Sequence, residues 1–520
     1  MDQRPNILFI MADDHAAKAI GAYGSGLLET PNIDRIALEG MRLDHCYVTN
    51  SICTPSRASI LTGTYNHVNG VTTLETLLDN RWPNVAKALQ ARGYATAIFG
   101  KWHLGEGPRH EPAGFDDWCV LPGQGDYFDP RMVTRQGGRH FPGYVTDVIT
   151  DLCVDWLTAR DRKRPFFLMC HHKAPHRSFS PAPRHAELFA SETISMPATF
   201  DDDYANRARA AREARMRVRV DMTYQDLGLV EPEGLAHYWY ENSGRPDHGK
   251  VPTDPTGLTL YDRNTGEPFT FATVEELDRF KYQRYIKRYL RTIVAIDESV
   301  GRLLDLLEER GDAENTIVVY TSDQGFFLGE HGWFDKRFIY EESLQMPCLI
   351  RYPAAFGRGI GNAIATNVDF APTFLDYAGV SVPSYMQGRS LRPVLEGRVP
   401  ADWQDVAYHR YWMHKDDIHN AFAHYGVRDQ RHKLIYWYND PLGQPGAHAG
   451  DEPPEWELFD CVADPFELCN VFDNPEKANV VRHMLAKLDA KMSEIGDIPA
   501  HDSASVLAAI AARQAENTST

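Results

Sequence analysis

Cysteine is scarce in this chain of 520 residues: there are eight, and no two form a C-x-x-C pair. That pattern excludes a zinc ribbon and a dithiol redox motif. The length excludes a small disulfide-stapled scaffold. Long hydrophobic runs are missing too, since nothing approaches the ~18 apolar residues of a membrane span. The N-terminal run covers only Ile7 to Ala12 and ends in two aspartates. It is too short for a signal-peptide core of ~7–15 residues. The chain as written therefore reads as cytoplasmic; a periplasmic protein with its leader removed would read the same way. Basic charge is also in deficit. Lys plus Arg is 54 against 72 for Asp plus Glu, a net charge of −18. A nucleic-acid partner would show a basic footprint instead, although a local site for a small anion remains compatible with this balance. What is present is ordinary globular composition, with 43% apolar and 24% charged residues and enough length for a large core. No internal repeat is visible.

Short apolar runs alternate with helical patterns, which predicts βαβ units and an α/β fold with a mainly parallel sheet. Four runs stand out: 6–12, 94–100, 165–172 and 316–322. Polar residues of catalytic type follow each one. Asp13 and Asp14 follow the first, Lys101 and His103 the second. His171, His172 and His176 lie at or after the end of the third, and Asp323 and Gln324 follow the fourth. In open α/β sheets the ligand crevice lies outside the carboxyl ends of the strands, so the four ends together predict a site.

Apolar positions at three- or four-residue steps predict an amphipathic helix from Phe280 to Leu307. Residues 201–275 read as an insertion over the sheet. Its series Arg207, Arg209, Arg212, Arg215, Arg217 and Arg219 reads as a solvated helix face, or more sharply as a basic rim that draws in an anion. After about residue 395 the texture changes to short aromatic strands, a helix over 475–495, and a weak helix with a polar end over 502–520. The division is a catalytic domain over 1–395 and a smaller C-terminal α+β subdomain over 396–520. The tail is either an arm for a homo-oligomer or nothing.

The sharpest local feature is Cys53-Thr54-Pro55-Ser56-Arg57. Pro55 fits the first turn of a helix, which puts Cys53 at the positive end of the helix dipole. Arg57, one turn on, returns toward the same spot. Asp13, Asp14 and Asp323 offer carboxylates and Gln324 an amide oxygen, a set suited to a hard cation such as Ca²⁺ or Mg²⁺.

These blocks resemble the type I sulfatases of the alkaline phosphatase superfamily over nearly the whole chain. N-I-L-F-I-M-A-D-D resembles the opening strand with two metal ligands. C-T-P-S-R with L-T-G resembles the signature whose cysteine is oxidised to formylglycine. G-K-W-H-L-G, K-A-P-H, S-D-Q-G and D-K-R resemble further active-site blocks. The resemblance implies an alkaline-phosphatase-like sheet flanked by helices and hydrolysis of a small anionic sulfate ester. A formylglycine hydrate derived from Cys53 would be the nucleophile, and a formylglycine-generating enzyme the maturation partner. One divalent cation, Ca²⁺ ahead of Mg²⁺ or Mn²⁺, would be held by Asp13, Asp14, Asp323, Gln324 and an oxygen of the group at Cys53. Arg57 would steady that group, and Lys101 and Lys336 would bind sulfate oxygens. His176 would protonate the leaving alcohol and His103 would act as the base that expels sulfate. His15, His171, His172 and His331 receive no role. Gln324 departs from the family, which more often has Asn or His there. The blocks at 281–291 and 329–337 resemble carbohydrate sulfatases, particularly those acting on N-acetylglucosamine-6-sulfate; aryl sulfates are the other expected substrates. Two alternatives stand beside this reading. One is a phosphonate monoester or phosphodiester hydrolase of the same superfamily, against which Ser56 weighs. The other is a non-catalytic binder of sulfated glycans, should Cys53 never be oxidised.

Overall fold

The computed structural model describes residues 4–232 and 249–518. Residues 233–248, part of the insertion read from the sequence, and the last two residues of the tail lie outside the described residues. Ten strands form the central sheet: β1 (Asn6–Asp13), β2 (Met41–Leu43), β3 (Ala95–Lys101), β4 (Asp117–Leu121), β5 (Arg131–Thr134), β6 (Gly137–His140), β7 (Phe166–Pro175), β8 (Thr316–Ser322), β9 (Cys348–Arg351) and β10 (Gly359–Gly361). Their order is β10-β2-β9-β8-β1-β7-β3-β4-β5-β6. The central strands β8, β1, β7, β3 and β4 are mutually parallel. The antiparallel pairings are those of β9 and β5 with their neighbours.

Strand β1 is buried on both faces, which is why its sequence is a continuous apolar run rather than an alternating one. Ile7, Phe9 and Met11 enter one core and Leu8, Ile10 and Ala12 the other, as a period of two requires. Helices α1 (Pro31–Glu39), α3 (Val145–Ala159) and the C-terminal half of α4 (Val274–Glu309) cover the second face. Helices α2 (Cys53–Thr62) and α5 (Phe370–Tyr377) cover the first. Helix α4 starts six residues before the apolar periodicity, at Val274 rather than Phe280. The Thr273 hydroxyl caps it by accepting from Glu276 N at 3.2 Å.

A second, four-stranded antiparallel sheet comprises β11 (Ala407–Tyr411), β12 (His424–Arg428), β13 (His432–Trp437) and β14 (Glu455–Asp460). Helices α6 (Ala478–Ile495) and α7 (Ser503–Thr518) pack on it. The weak tail helix is thus held in this subdomain through Ile510, which is buried in its core. The sheet abuts the segment before α2, where His409 Nε2 accepts from Ser51 N at 3.1 Å.

Two expectations are corrected. Strand β7 runs on to Pro175, so His171 and His172 lie within it and only His176 follows its end. The arginine series is neither a helix face nor a rim. Its stretch makes only two short turns, Arg209–Glu213 and Val218–Asp221. Several of its members are paired individually: Arg207 with Asp202, Arg209 with Glu213, and Arg219 with Asp201 and Asp278. Local carboxylates take up this charge before it can act outward. None of the six lines the large cavity described below.

Candidate active site

The parallel strands align their carboxyl ends. Ala12 of β1 pairs with Ser322 of β8, Met11 with His171 of β7, and His171 with Gly100 of β3. Asp13 and Asp14, Asp323 and Gln324, Lys101 and His103, and His176 therefore emerge at one edge. Gly100 is required there: its φ is +107°, and a Cβ would lie 1.9 Å from the His171 carbonyl oxygen. Asp14, His103, Asp335 and Arg337 also have positive φ without being glycine, a concentration of backbone strain typical of functional sites. Tyr289 of α4 helps fix Asp14: its hydroxyl donates to the Asp14 carbonyl and accepts from Ala16 N, each at 2.8 Å.

Cys53 opens α2, with no side-chain cap on that N-terminus. Its Sγ lies 3.4 Å from Asp13 Oδ1. Arg57 reaches back, pairing with Asp323 Oδ2 at 2.9 Å and donating to the Lys101 carbonyl at 2.8 Å. Lys101 Nζ pairs with Asp13 and donates to Gln124 Oε1 at 2.5 Å. Lys336 Nζ lies 2.6 Å from both oxygens of Asp14. His176 Nε2 lies 3.7 Å from Asp14 Oδ2, while its Nδ1 donates to the Arg177 carbonyl at 2.9 Å. All ten residues predicted for the site thus converge on one cluster at the head of a cavity of about 890 Å³, which Cys53, His103, His176 and Lys336 line.

The electrostatics follow from burying three carboxylates together. Oxygens of Asp13, Asp14 and Asp323 lie within 4.8 Å of one another. Burial pushes Asp14 up to about 8 and Asp323 up to about 6, with Asp13 adding repulsion in both cases. Burial also pushes on Asp13, but the charges of Lys101, Arg57 and Lys336 oppose it and hold that carboxyl well below the usual range. Burial and then Lys101 push His103 and His176 well down, so both imidazoles rest neutral. Burial and then Asp13 push the Cys53 thiol up. An unmodified Cys53 is therefore a poor nucleophile. The Gln324 carbonyl oxygen is buried without a hydrogen-bond partner. Three carboxylates and one free carbonyl oxygen fit a hard divalent cation.

The family description "Sulfatase" matches residues 5–380. The chain belongs to the sulfatase family. A second description, "N-sulphoglucosamine sulphohydrolase, C-terminal", matches residues 329–494. The sulfatase is 44% identical over 510 residues to an N-acetylglucosamine-6-O-sulfatase of Bacteroides thetaiotaomicron, covering 95% of this chain and 87% of the relative. It superposes with a TM-score of 0.83 at 43% identity on a protein solved with its substrate D-glucosamine-2-N,6-O-disulfate, covering 95% of this chain and 98% of that one. It shares its fold, at 21% identity and a TM-score of 0.67, with a phosphonate monoester hydrolase of Agrobacterium radiobacter, over 95% and 96% of the two chains. The sulfatase is a sulfuric ester hydrolase, and its family implies a metal ion and a formylglycine. Among the described residues no helix is long and apolar enough to cross a membrane.

Several residues beside the cluster escaped the sequence. Gln124 follows β4, a fifth parallel strand end that was not used. Lys173, Asp335 and Arg337 sit inside blocks from which only His176 and Lys336 were taken. Asp226 and His419 had no local signal. Asp226 comes from the insertion and grips Arg177, Nε to Oδ1 at 3.0 Å and Nη2 to Oδ2 at 2.5 Å. His419 comes from the loop after β11 and lies between Asp416 (2.9 Å) and Asp335 (3.3 Å). The four histidines left without a role all have partners inside the fold. His15 bonds Tyr320, His171 the Lys101 carbonyl, His172 Ser299, and His331 Asp202.

Proposed function

We propose that this sulfatase hydrolyses the sulfate ester of a sulfated sugar of the 6-O-sulfated glucosamine class. A formylglycine formed from Cys53 would serve as nucleophile, and one divalent cation, Ca²⁺ ahead of Mg²⁺ or Mn²⁺, as electrophile. The observation that carries the reading is the placement of Cys53. It stands at an uncapped helix N-terminus, beside three clustered carboxylates, and opens into a cavity large enough for a sugar. The names of the similar proteins supply the sugar class.

Asp13, Asp14, Asp323 and the free carbonyl of Gln324 would hold the cation, which supplies Lewis acidity and charge neutralisation when bound. Formylglycine supplies a hydrated aldehyde as nucleophile in place of a thiol that burial keeps protonated. Arg57, fixed by Asp323 and the Lys101 carbonyl, steadies residue 53. Lys101 and Lys336 present ammonium groups to sulfate oxygens as charge develops. The Arg177 carbonyl can only accept, so His176 carries its proton on Nδ1 and turns Nε2 to the cavity. With a second proton taken up from solvent on Nε2 when the anionic sulfate ester is bound beside it, His176 would be the donor to the leaving alcohol. His103, neutral and with Nδ1 unbonded, would be the base that takes up a proton beside residue 53 as sulfate is released. Asp335, Arg337 and His419 line the cavity next to Lys336 and offer donors and acceptors to sugar hydroxyls.

The test is steady-state kinetics after co-expression with a formylglycine-generating enzyme. The substrates are N-acetylglucosamine 6-sulfate, para-nitrophenyl sulfate and para-nitrophenyl phenylphosphonate, with Cys53→Ala as blank. The expected order of kcat/KM is sugar sulfate, aryl sulfate, phosphonate. A highest value for the phosphonate would overturn the reading in favour of the related hydrolase class, whose fold this chain shares.

A further inference from the structure

The buried cations around the cavity are almost all neutralised within the protein. Arg57 is paired with Asp323, Lys101 with Asp13, Lys336 with Asp14, and Arg177 with Asp226. Lys173 differs. It is 4% exposed and lines the cavity. Its Nζ donates to the Arg177 carbonyl at 3.4 Å and lies 4.8 Å from the centre of the Tyr127 ring. Among the described residues no carboxylate forms an ion pair with it within 4.0 Å. Burial and then Lys101 lower its affinity for the proton, to a pKa of about 8. An ammonium group enclosed without a counter-ion is costly, and a ligand that brings an anion removes the cost.

The position indicates which anion. The Arg177 carbonyl that accepts from Lys173 also accepts from His176 Nδ1, at 2.9 Å. Lys173 therefore stands beside the proton donor, at its Nδ1 edge and on the wall of the same cavity, rather than on the carboxylates that Lys101 and Lys336 occupy. Ser178, Ser180 and Gln225 line the same cavity and supply further donors. We propose that Lys173 is the centre of a second anion subsite, which takes another acidic substituent of the sugar that carries the scissile sulfate: a sulfamate, a second sulfate ester or a carboxylate. The proposal rests on the sulfated-sugar reading above. It makes Lys173 a determinant of specificity for doubly charged sugars.

The experiment compares kcat/KM for D-glucosamine-2-N,6-O-disulfate and N-acetylglucosamine 6-sulfate in the wild type, Lys173→Met and Lys173→Arg. Methionine keeps the length and apolar stem of the side chain, so the fold should survive. The expected result is a loss of about tenfold to a hundredfold on the disulfate in Lys173→Met, carried by KM, as for one charge-assisted hydrogen bond. The N-acetyl sugar loses less than the disulfate, so the ratio of the two kcat/KM values falls, and Lys173→Arg keeps the preference. Parallel losses on both sugars would place Lys173 on the scissile sulfate and overturn the proposal; so would no change on either. Wild-type enzyme that hydrolyses neither sugar would sink the sugar reading itself and this subsite with it. Wild-type turnover with an unaltered ratio would sink the subsite alone.

Discussion

Gln324 donates its side-chain amide to Asp14 Oδ1 while its own carbonyl oxygen remains buried without a partner. The glutamine side chain, one methylene longer than asparagine, thus leaves a free oxygen beside the three aspartates. Loss of that oxygen should weaken the cation rather than the fold. Gln324→Ala is expected to raise the calcium concentration for half-maximal activity by roughly tenfold to a hundredfold, in the range seen when a metal site loses one supporting group. Gln324→Asn keeps a carbonyl and should fall between the two. Calcium titration of chelator-stripped enzyme measures this. Equal half-saturation in Gln324→Ala and wild type would remove residue 324 from the ligand set.

Cys53 and the two lysines beside the carboxylates give a second prediction. Cys53→Ala should abolish turnover and leave the circular dichroism spectrum and melting temperature near wild type, because among the described residues the small buried side chain makes one hydrogen-bond contact, to Asp13. Lys101→Ala and Lys336→Ala should each cost on the order of 10²–10³ in kcat, as for loss of one preorganised charge-stabilising group. Substantial turnover by Cys53→Ala would rule out a formylglycine nucleophile, and losses under about tenfold in both lysine variants would take them off the sulfate.

Asp226 offers a test of how His176 is oriented. Its two-point pair with Arg177 fixes the residue whose carbonyl receives the His176 Nδ1 proton. Asp226→Asn should misplace that carbonyl and weaken proton donation to the leaving oxygen. Sugar alcohols need that proton and nitrophenolate does not. The expected result is a loss of about tenfold or more in kcat on N-acetylglucosamine 6-sulfate, a fraction of the 10²–10⁴ that general acids contribute, with a smaller loss on para-nitrophenyl sulfate. Equal losses on both substrates would mean that Asp226 serves the fold of the insertion only.

The legibility of these parts in the sequence divides along physical lines. The four central strands were readable because a strand covered on both faces must be a continuous apolar run, as Asn6–Asp13 is. The cluster was readable because each run hands its polar residues to the same edge of the sheet. Lys101, Asp13, Asp323 and His176 therefore meet without any long-range information. Asp226 and His419 were not readable. Each comes from a loop, Asp226 onto Arg177 and His419 into the cavity, and each has a partner distant in sequence: Arg177 for Asp226, and Asp335 for His419. The arginine series misled because periodicity shows that charges recur but not which carboxylates meet them. Asp201, Asp202 and Glu213 lie within or next to the same stretch and neutralise it. Lys173 was in view inside K-A-P-H, yet only the structure shows that a buried cation lacks the carboxylate its neighbours have.

Glu457 yields a stability prediction remote from the chemistry. Its carboxylate is buried between β13 and the insertion, accepting from Trp437 Nε1 at 2.8 Å and Ala208 N at 2.6 Å. Burial pushes it up to about 7 from 4.5, against these hydrogen bonds. The folded protein therefore holds this proton more tightly than the unfolded chain does. The resulting stability is fully present below pH 4.5 and is lost as pH rises through about 7. A shift of this size corresponds to about 3 kcal/mol at most. Glu457→Gln carries no titrating group. It pays a constant penalty for an amide donor facing Trp437 Nε1–H or Ala208 N–H, but its stability lacks this pH dependence. The difference in unfolding free energy between wild type and Glu457→Gln, from urea titrations between pH 5 and pH 8, should therefore shift toward the variant by about 2–3 kcal/mol as pH rises. A difference that stays flat across that range would show that Glu457 is already ionised at pH 5, with Trp437 and Ala208 repaying its burial in full.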